Sequence, residues 1–191
     1  MSQSTKQIKT ITIGELNRRA SDIHKFIETS EQQYADKIKA AADKIAQCYS
    51  EKPLVLLSGP SGSGKTSTAY RIASELTAKQ IKAVVISMDD YFVPGMIPPD
   101  ENGKVDLEAP ARVDCELLKK DLRTLASGGE VQLPKFNFTD NSRRCGNKVR
   151  CDGNTVVIIE GIHALNPDVT GRMHDHATFI YVSVRTRIAD E

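Results

Sequence analysis

Net charge is almost missing from this chain: 26 Lys and Arg stand against 25 Asp and Glu, a formal +1. No global field therefore draws in nucleic acid or an anionic membrane, and any anion binding has to be local. Long apolar runs are missing too. None approaches the length that spans a bilayer, and the start MSQSTKQIKT lacks the apolar core of a secretory signal. A cytoplasmic location without membrane contact is the expectation. The four cysteines, Cys48, Cys115, Cys145 and Cys151, form no CxxC pair, which reads as reduced thiols. A zinc site built from Cys145, Cys151 and His163 would match no familiar ligand spacing. Internal repeats and low-complexity tracts are absent as well.

What is present suffices for one hydrophobic core. The 191 residues are 39% apolar and 27% charged, ordinary values for a globular domain, so one domain with an appended segment is expected. Residues 1–52 form the appended part. Between Glu31 and Tyr49 the positions Tyr34, Ile38, Ala41, Ile45 and Cys48 recur at intervals of four and three. This is the signature of an amphipathic helix of about five turns. The stripe is short for a coiled coil, so it reads first as packing on the main domain, with a seam for a homo-oligomer or partner as the alternative. The preceding TITIGELNRRASDIHKFIE has a β-like start and a second helical pattern.

From Pro53 onward the pattern changes to strand, glycine-rich turn, helix and strand: LVLLS, GPSGSGKT, a helical stretch to about Gln80, then AVVIS. All-apolar strands alternating with helices imply a parallel sheet covered on both faces. TVVIIE (Thr155 to Glu160) and TFIYVSV (Thr178 to Val184) read as further strands. A helix from about Asp114 to Ala126 carries Leu117, Leu118, Leu122 and Leu125, and SGG stops it. The stretches Tyr91 to Pro110 and Glu130 to Asn154 read as long, functional or mobile loops.

GPSGSGKT satisfies G-x-x-x-x-G-K-[ST] between a buried strand and a helix, the context that gives the pattern meaning. Gly59, Gly62 and Gly64, with Pro60, Ser61 and Ser63, let the backbone curl so that N–H groups face phosphate oxygens. The helix start at Lys65, Thr66 and Ser67 adds its positive end. Lys65 would reach the β- and γ-phosphates, and the Thr66 hydroxyl would bind Mg²⁺. VVIIEGIH ends a strand on an acid, Glu160, where such proteins keep a carboxylate beside the metal. No guanine-reading N-K-x-D sequence is present, which argues against a GTPase. SMDDYF sets Asp89 and Asp90 side by side at a strand end, and adjacent residues on a strand face opposite ways.

With GPSGSGKT, ISMDDYF, LPKFNF and VVIIEGIH in this order, the chain resembles the uridine kinase and phosphoribulokinase family of P-loop kinases. It is most similar to bacterial uridine-kinase-like proteins that carry an N-terminal extension. The resemblance implies a three-layer α/β/α P-loop NTPase fold with a mainly parallel sheet over residues 53–191, preceded by a helical extension over 1–52. It further implies ATP and Mg²⁺, with a nucleoside or small polyol hydroxyl as acceptor. Asp89 falls where the family has its general base, which also lies near the metal held with Thr66 and Glu160. Asp90, where the family often has Ser, is expected to face solvent or support Asp89.

The same resemblance implies acceptor contacts from Tyr91, Glu108, Phe136, Phe138, Asn141 and Arg143. Glu108 stands where the family has a ribose-binding Asp, Ala109 where a His follows it, and Asn141 where a His reads the base. Either the acceptor sits about one methylene further out, or it is a different polyol. Arg143, Arg144, Lys148 and Arg150 read as a solvated hairpin face. Family members continue with an Arg-bearing lid beyond TRIADE, so the chain reads as a fragment or as catalytically incomplete. The alternatives are an ATP-binding regulatory module without turnover, and a kinase for a non-nucleoside alcohol such as a sugar phosphate or pantothenate.

Overall fold

The computed structural model describes residues 9–95, 103, 106, 108–184 and 186–190. Two compact units divide the chain, Ile38–Val182 and a smaller one of Met1–Lys37 with Ser183–Glu191. The division falls within a helix, not at the 52/53 boundary expected from composition. In the smaller unit, strand β1 (Lys9–Thr12) leads into helix α1 (Ile13–Ala20), whose N-cap Thr12 accepts from the Glu15 N–H at 3.1 Å. Helix α2 (Ile23–Cys48) follows, and only residues 23–37 of it belong to this unit. Near the other end of the chain, strand β8 (Thr186–Ala189) pairs in parallel with β1.

The larger unit is built on a four-stranded parallel sheet. Its strands are β2 (Leu54–Ser58), β3 (Lys82–Ser87), β6 (Thr155–Glu160) and β7 (Ala177–Tyr181), in the order β3-β6-β2-β7. β2 and β6 are the central strands and are buried at every position, as their unbroken apolar sequences require. β3 and β7 are edges and keep exposed positions such as Lys82, Phe179 and Tyr181. β7 ends at Tyr181, three residues short of the expected strand.

Helix α3 (Lys65–Ala78) buries Ala69, Ile72, Ala73 and Leu76, and α4 (Cys115–Ala126) buries Leu118, Leu122 and Leu125. Asp114 caps α4 by accepting from the Leu117 N–H at 3.1 Å. Gly128, with φ 79°, takes the left-handed turn that ends it. The stretch 130–154 is no loop. Strands β4 (Glu130–Asn137) and β5 (Ser142–Arg150) form an antiparallel hairpin with a register shift between Gln132 and Pro134. A short helix α5 (Pro167–Thr170) precedes β7. No helix among the described residues is long and apolar enough to cross a membrane.

Candidate active site at the carboxyl edge of the sheet

Strand order brings the three expected chemical groups together. The register aligns Leu57 of β2 with Glu160 of β6, and Glu160 with Ser87 of β3. The glycine-rich turn leaves β2 one residue past that row, and Asp89 follows β3 two residues past it. Glu160 therefore stands between the turn and Asp89 at the edge where parallel α/β sheets place their ligands.

The turn is shaped for close approach. Gly62 and Gly64 have φ of 70° and 83°, and a β-carbon on Gly59 would lie 2.2 Å from the Val182 carbonyl oxygen. Gly64 is the N-cap of α3 and supplies no capping side chain, so the first amides of the helix are left to an outside acceptor. Among the described residues, Ser63 Oγ is a buried side-chain polar atom without a partner. An uncapped helix start beside an unmet hydroxyl fits a phosphate chain. Lys65 Nζ donates to the Pro60 carbonyl at 2.9 Å, so the ammonium lies folded along the turn. Thr66 Oγ1 donates to Glu160 Oε1 at 3.1 Å, and Glu160 is buried. Thr66, Glu160 and Asp89 supply a hydroxyl and two carboxylates, the oxygen donor set that suits Mg²⁺ arriving with phosphates.

SMDDYF does not continue the strand. Met88–Tyr91 form a 3-10 turn, with the Ser87 hydroxyl accepting from the Asp89 N–H at 3.4 Å. Three residues per turn put Met88 and Tyr91 on one face, and both are buried, at 2% and 1% exposure. Tyr91 therefore belongs to the core and not to the acceptor contacts expected of it; its hydroxyl donates to buried Asp121 at 3.1 Å. Asp89 and Phe92, also three apart, share the next face. Asp89 is exposed, yet neighbouring protein atoms displace enough water to push its carboxyl pKa up. Lys65 and Arg112 pull it back, and Asp90 pushes it up further.

Asp90 takes the third face and does not point to solvent. Its carboxylate accepts from Lys135 Nζ at 3.0 Å and from the Phe136 N–H at 3.3 Å. Phe92, Phe136 and Phe138 form an edge-to-face triangle with centroids 5.1 to 6.1 Å apart. Phe136 is buried, whereas Phe138 is 64% exposed and leaves a ring face open to a ligand. The Arg112 guanidinium lies 4.2 Å from the centre of the Phe92 ring. Phe92 and Arg112 were not anticipated from sequence; only the period of the 3-10 turn would have selected Phe92 over Tyr91.

Of the remaining expected acceptor residues, Asn141 and Arg143 have their side chains engaged by the protein, and Glu108 is held through its backbone. Asn141 sits at the hairpin turn with φ 51°, and its Nδ2 donates to the Gly95 carbonyl at 2.9 Å. Arg143 pairs with Asp114 at 2.8 Å. Glu108 is exposed, and its carbonyl oxygen lies 2.7 Å from His163 Nε2. On the hairpin, Arg144 pairs with Asp140 and Lys148 with Glu130, as a solvated face would.

The chain matches the phosphoribulokinase/uridine kinase family over residues 54–188. It belongs to that family of P-loop kinases. It is 36% identical over 116 residues to uridine-cytidine kinase C of Dictyostelium discoideum, covering 61% of this chain and 24% of that protein. Against the uridine kinase of Lactobacillus helveticus the identity is 29% over 126 residues, 64% of this chain and 59% of the relative. The chain thus spans from about a quarter to three fifths of the length of these curated relatives. A solved structure described as a possible uridine kinase from Bacillus stearothermophilus shares the fold, with TM-score 0.64 and 20% identity over 78% of this chain and 80% of that one.

Proposed function

We propose that this kinase-family chain transfers the γ-phosphoryl group of ATP to a hydroxyl of a nucleoside, uridine- or cytidine-like, or of a related small polyol. The observation that carries the reading is the row formed by the glycine-rich turn, Glu160 and Asp89 at one sheet edge. The free amides at the start of α3 and the Ser63 hydroxyl hold phosphate oxygens, and Lys65 exchanges the Pro60 carbonyl for the β- and γ-phosphates. Thr66 and Glu160, already hydrogen-bonded to each other, are the residues that would hold Mg²⁺, with Asp89 beside them. Bound there with ATP, the ion would neutralise charge on the phosphates. Asp89 accepts the proton of the acceptor hydroxyl as its oxygen attacks phosphorus, and ADP leaves. The open face of Phe138, backed by Phe92 and Phe136, suits a flat base.

A coupled ADP-release assay over nucleosides, pantothenate and sugar phosphates identifies the acceptor. Lys65→Ala abolishes turnover and weakens ATP binding, whereas Asp89→Asn abolishes turnover with ATP affinity retained. Full transfer by the Asp89→Asn variant would remove Asp89 from the role of base. Calorimetric binding of ATP with no response to any acceptor would instead favour a nucleotide-sensing module.

A further inference from the structure

The residue beside the base is built into the molecule in a way its position at a strand end does not require. Asp90 reaches from the 3-10 turn to the outer edge of β4, where its carboxylate receives the Phe136 N–H at 3.3 Å and the Lys135 ammonium at 3.0 Å. The Asp90 side chain is 15% exposed, against 66% for Lys135, so most of the carboxylate is enclosed while its cationic partner is solvated. A solvated ion pair contributes little, and the backbone hydrogen bond is the stronger constraint. That bond joins two parts of the site 46 residues apart in sequence, one residue past Asp89 on one side and at Phe136 itself on the other. Asp89 lies immediately before the tether, and the Phe136 ring, packed on Phe92 and Phe138, grows from the residue that donates to it.

Two other bonds hold the hairpin, Asn141 to the Gly95 carbonyl and Arg143 to Asp114. Asn141 docks the hairpin at Gly95, beyond the 3-10 turn, and Asp114, the partner of Arg143, donates its N–H to the Tyr91 carbonyl at 2.9 Å at the end of that turn. Asp90 is the tether next to Asp89 itself.

We propose that Asp90 is a positioning residue for phosphoryl transfer, a hydrogen-bonded strut that sets the separation between the Asp89 carboxylate and the Phe92–Phe136–Phe138 wall. The role rests on the phosphotransferase reading above. A hydroxyl held by the wall meets Asp89 at hydrogen-bond distance only if that separation is kept, and displacement by about 1 Å can cost on the order of a hundredfold in rate. Asn in place of Asp90 keeps one oxygen for the Phe136 N–H but loses the charge and the second oxygen that receives Lys135; Ala loses both contacts.

The test combines steady-state kinetics with amide hydrogen exchange on the whole chain. In Asp90→Ala, kcat falls roughly ten- to a hundredfold while KM for ATP stays within about twofold of wild type. In Asp90→Asn, kcat recovers to within about threefold of wild type. The Phe136 amide exchanges slowly in wild type and Asp90→Asn, and roughly tenfold faster in Asp90→Ala. An Asp90→Ala enzyme with wild-type kcat, or an Asp90→Asn enzyme as slow as the Ala variant, would overturn the proposal. If wild type turns over no acceptor, the phosphotransferase reading and the positioning role fall together. Exchange at Phe136 then still decides whether the tether exists, since equal rates in wild type and Asp90→Ala would refute it. Asn141 and Arg143 keep the hairpin docked in every variant, so loss of folding is not expected; the thermal midpoint of each variant checks this.

Discussion

Replacing Tyr91 by Phe removes one oxygen from the core and leaves Asp121 without its donor. Tyr91 is 1% exposed and Asp121 6%, and the 3.1 Å bond between them closes the 3-10 turn onto α4. An acceptor stranded in such a place costs about 1–3 kcal/mol, here taken as about 2 kcal/mol. For a chain of this size that lowers the thermal midpoint by about 4–8 °C. Burial already holds the Asp121 carboxyl pKa above its usual value, and the Tyr91 hydroxyl pulls it back. The folded chain therefore takes up a proton at a pH where the unfolded chain does not, and the penalty of the buried charge is relieved as pH falls through the folded value. Removing the hydroxyl raises that value further. The Tyr91→Phe deficit is accordingly largest near neutrality and shrinks towards about pH 4, where the unfolded carboxyl also protonates. Urea unfolding across that range measures it, and Tyr91→Phe with Asp121→Leu, which removes both polar partners, recovers most of the loss. A deficit below about 0.5 kcal/mol, or one that does not change with pH, would refute the assignment of this pair as a buried, charge-bearing clasp.

Gly59→Ala places a β-carbon 2.2 Å from the Val182 carbonyl oxygen and 2.8 Å from Ser63 Oγ. It should destabilise the chain by roughly 1–3 kcal/mol in urea unfolding and abolish ATP binding by calorimetry, because the turn must widen. Asp152 accepts from Thr155 Oγ1, Lys82 Nζ and the Asn154 N–H, which together hold its carboxyl well below the usual range. Its contribution is present above the unfolded value and lost as pH falls through the folded one, so the stability gap between wild type and Asp152→Asn should close in strong acid and narrow with added salt.

Sequence patterns located the parts of this fold that one signal determines. LVLLS and TVVIIE are bounded apolar runs, and they form β2 and β6 residue for residue. The glycine-rich turn and Glu160 follow from them, because a parallel sheet sends both strand ends to one edge. The strand limits of the hairpin were illegible for the opposite reason. β5 buries only Val149 among its nine residues, and β4 carries Pro134 with a register shift beside it, so neither shows a clean alternation. The resemblance that puts Tyr91 at the acceptor does not carry the 3-10 turn that follows Ser87. With a period of three, the second aromatic and not the first shares a face with Asp89. The resemblance that places Asn141 and Arg143 at the acceptor does not show that Gly95 and Asp114 already receive them.

The change of composition near Lys52 marks where the apolar strands begin, whereas the division into compact units falls between residues 37 and 38, inside α2. Ile38, Ala42 and Ile45 are buried at 5%, 0% and 0%, and Lys79 of α3 pairs with Asp43 at 2.6 Å. Cys48 Sγ lies 3.7 Å from Thr178 Oγ1 of β7. The last three turns of α2 are thus part of the larger unit's core, and their removal would strip its outer layer. Ile45→Ala in the whole chain should cost about 2–5 kcal/mol, as full burial of a large aliphatic side chain implies. Ile27, on the same helix but 53% exposed and within the smaller unit, should cost at most about 0.5 kcal/mol when changed to Ala. Equilibrium unfolding of both variants separates the two halves of one continuous helix. Equal losses would mean that α2 acts as a single appended element, and the boundary would return to the end of the helix.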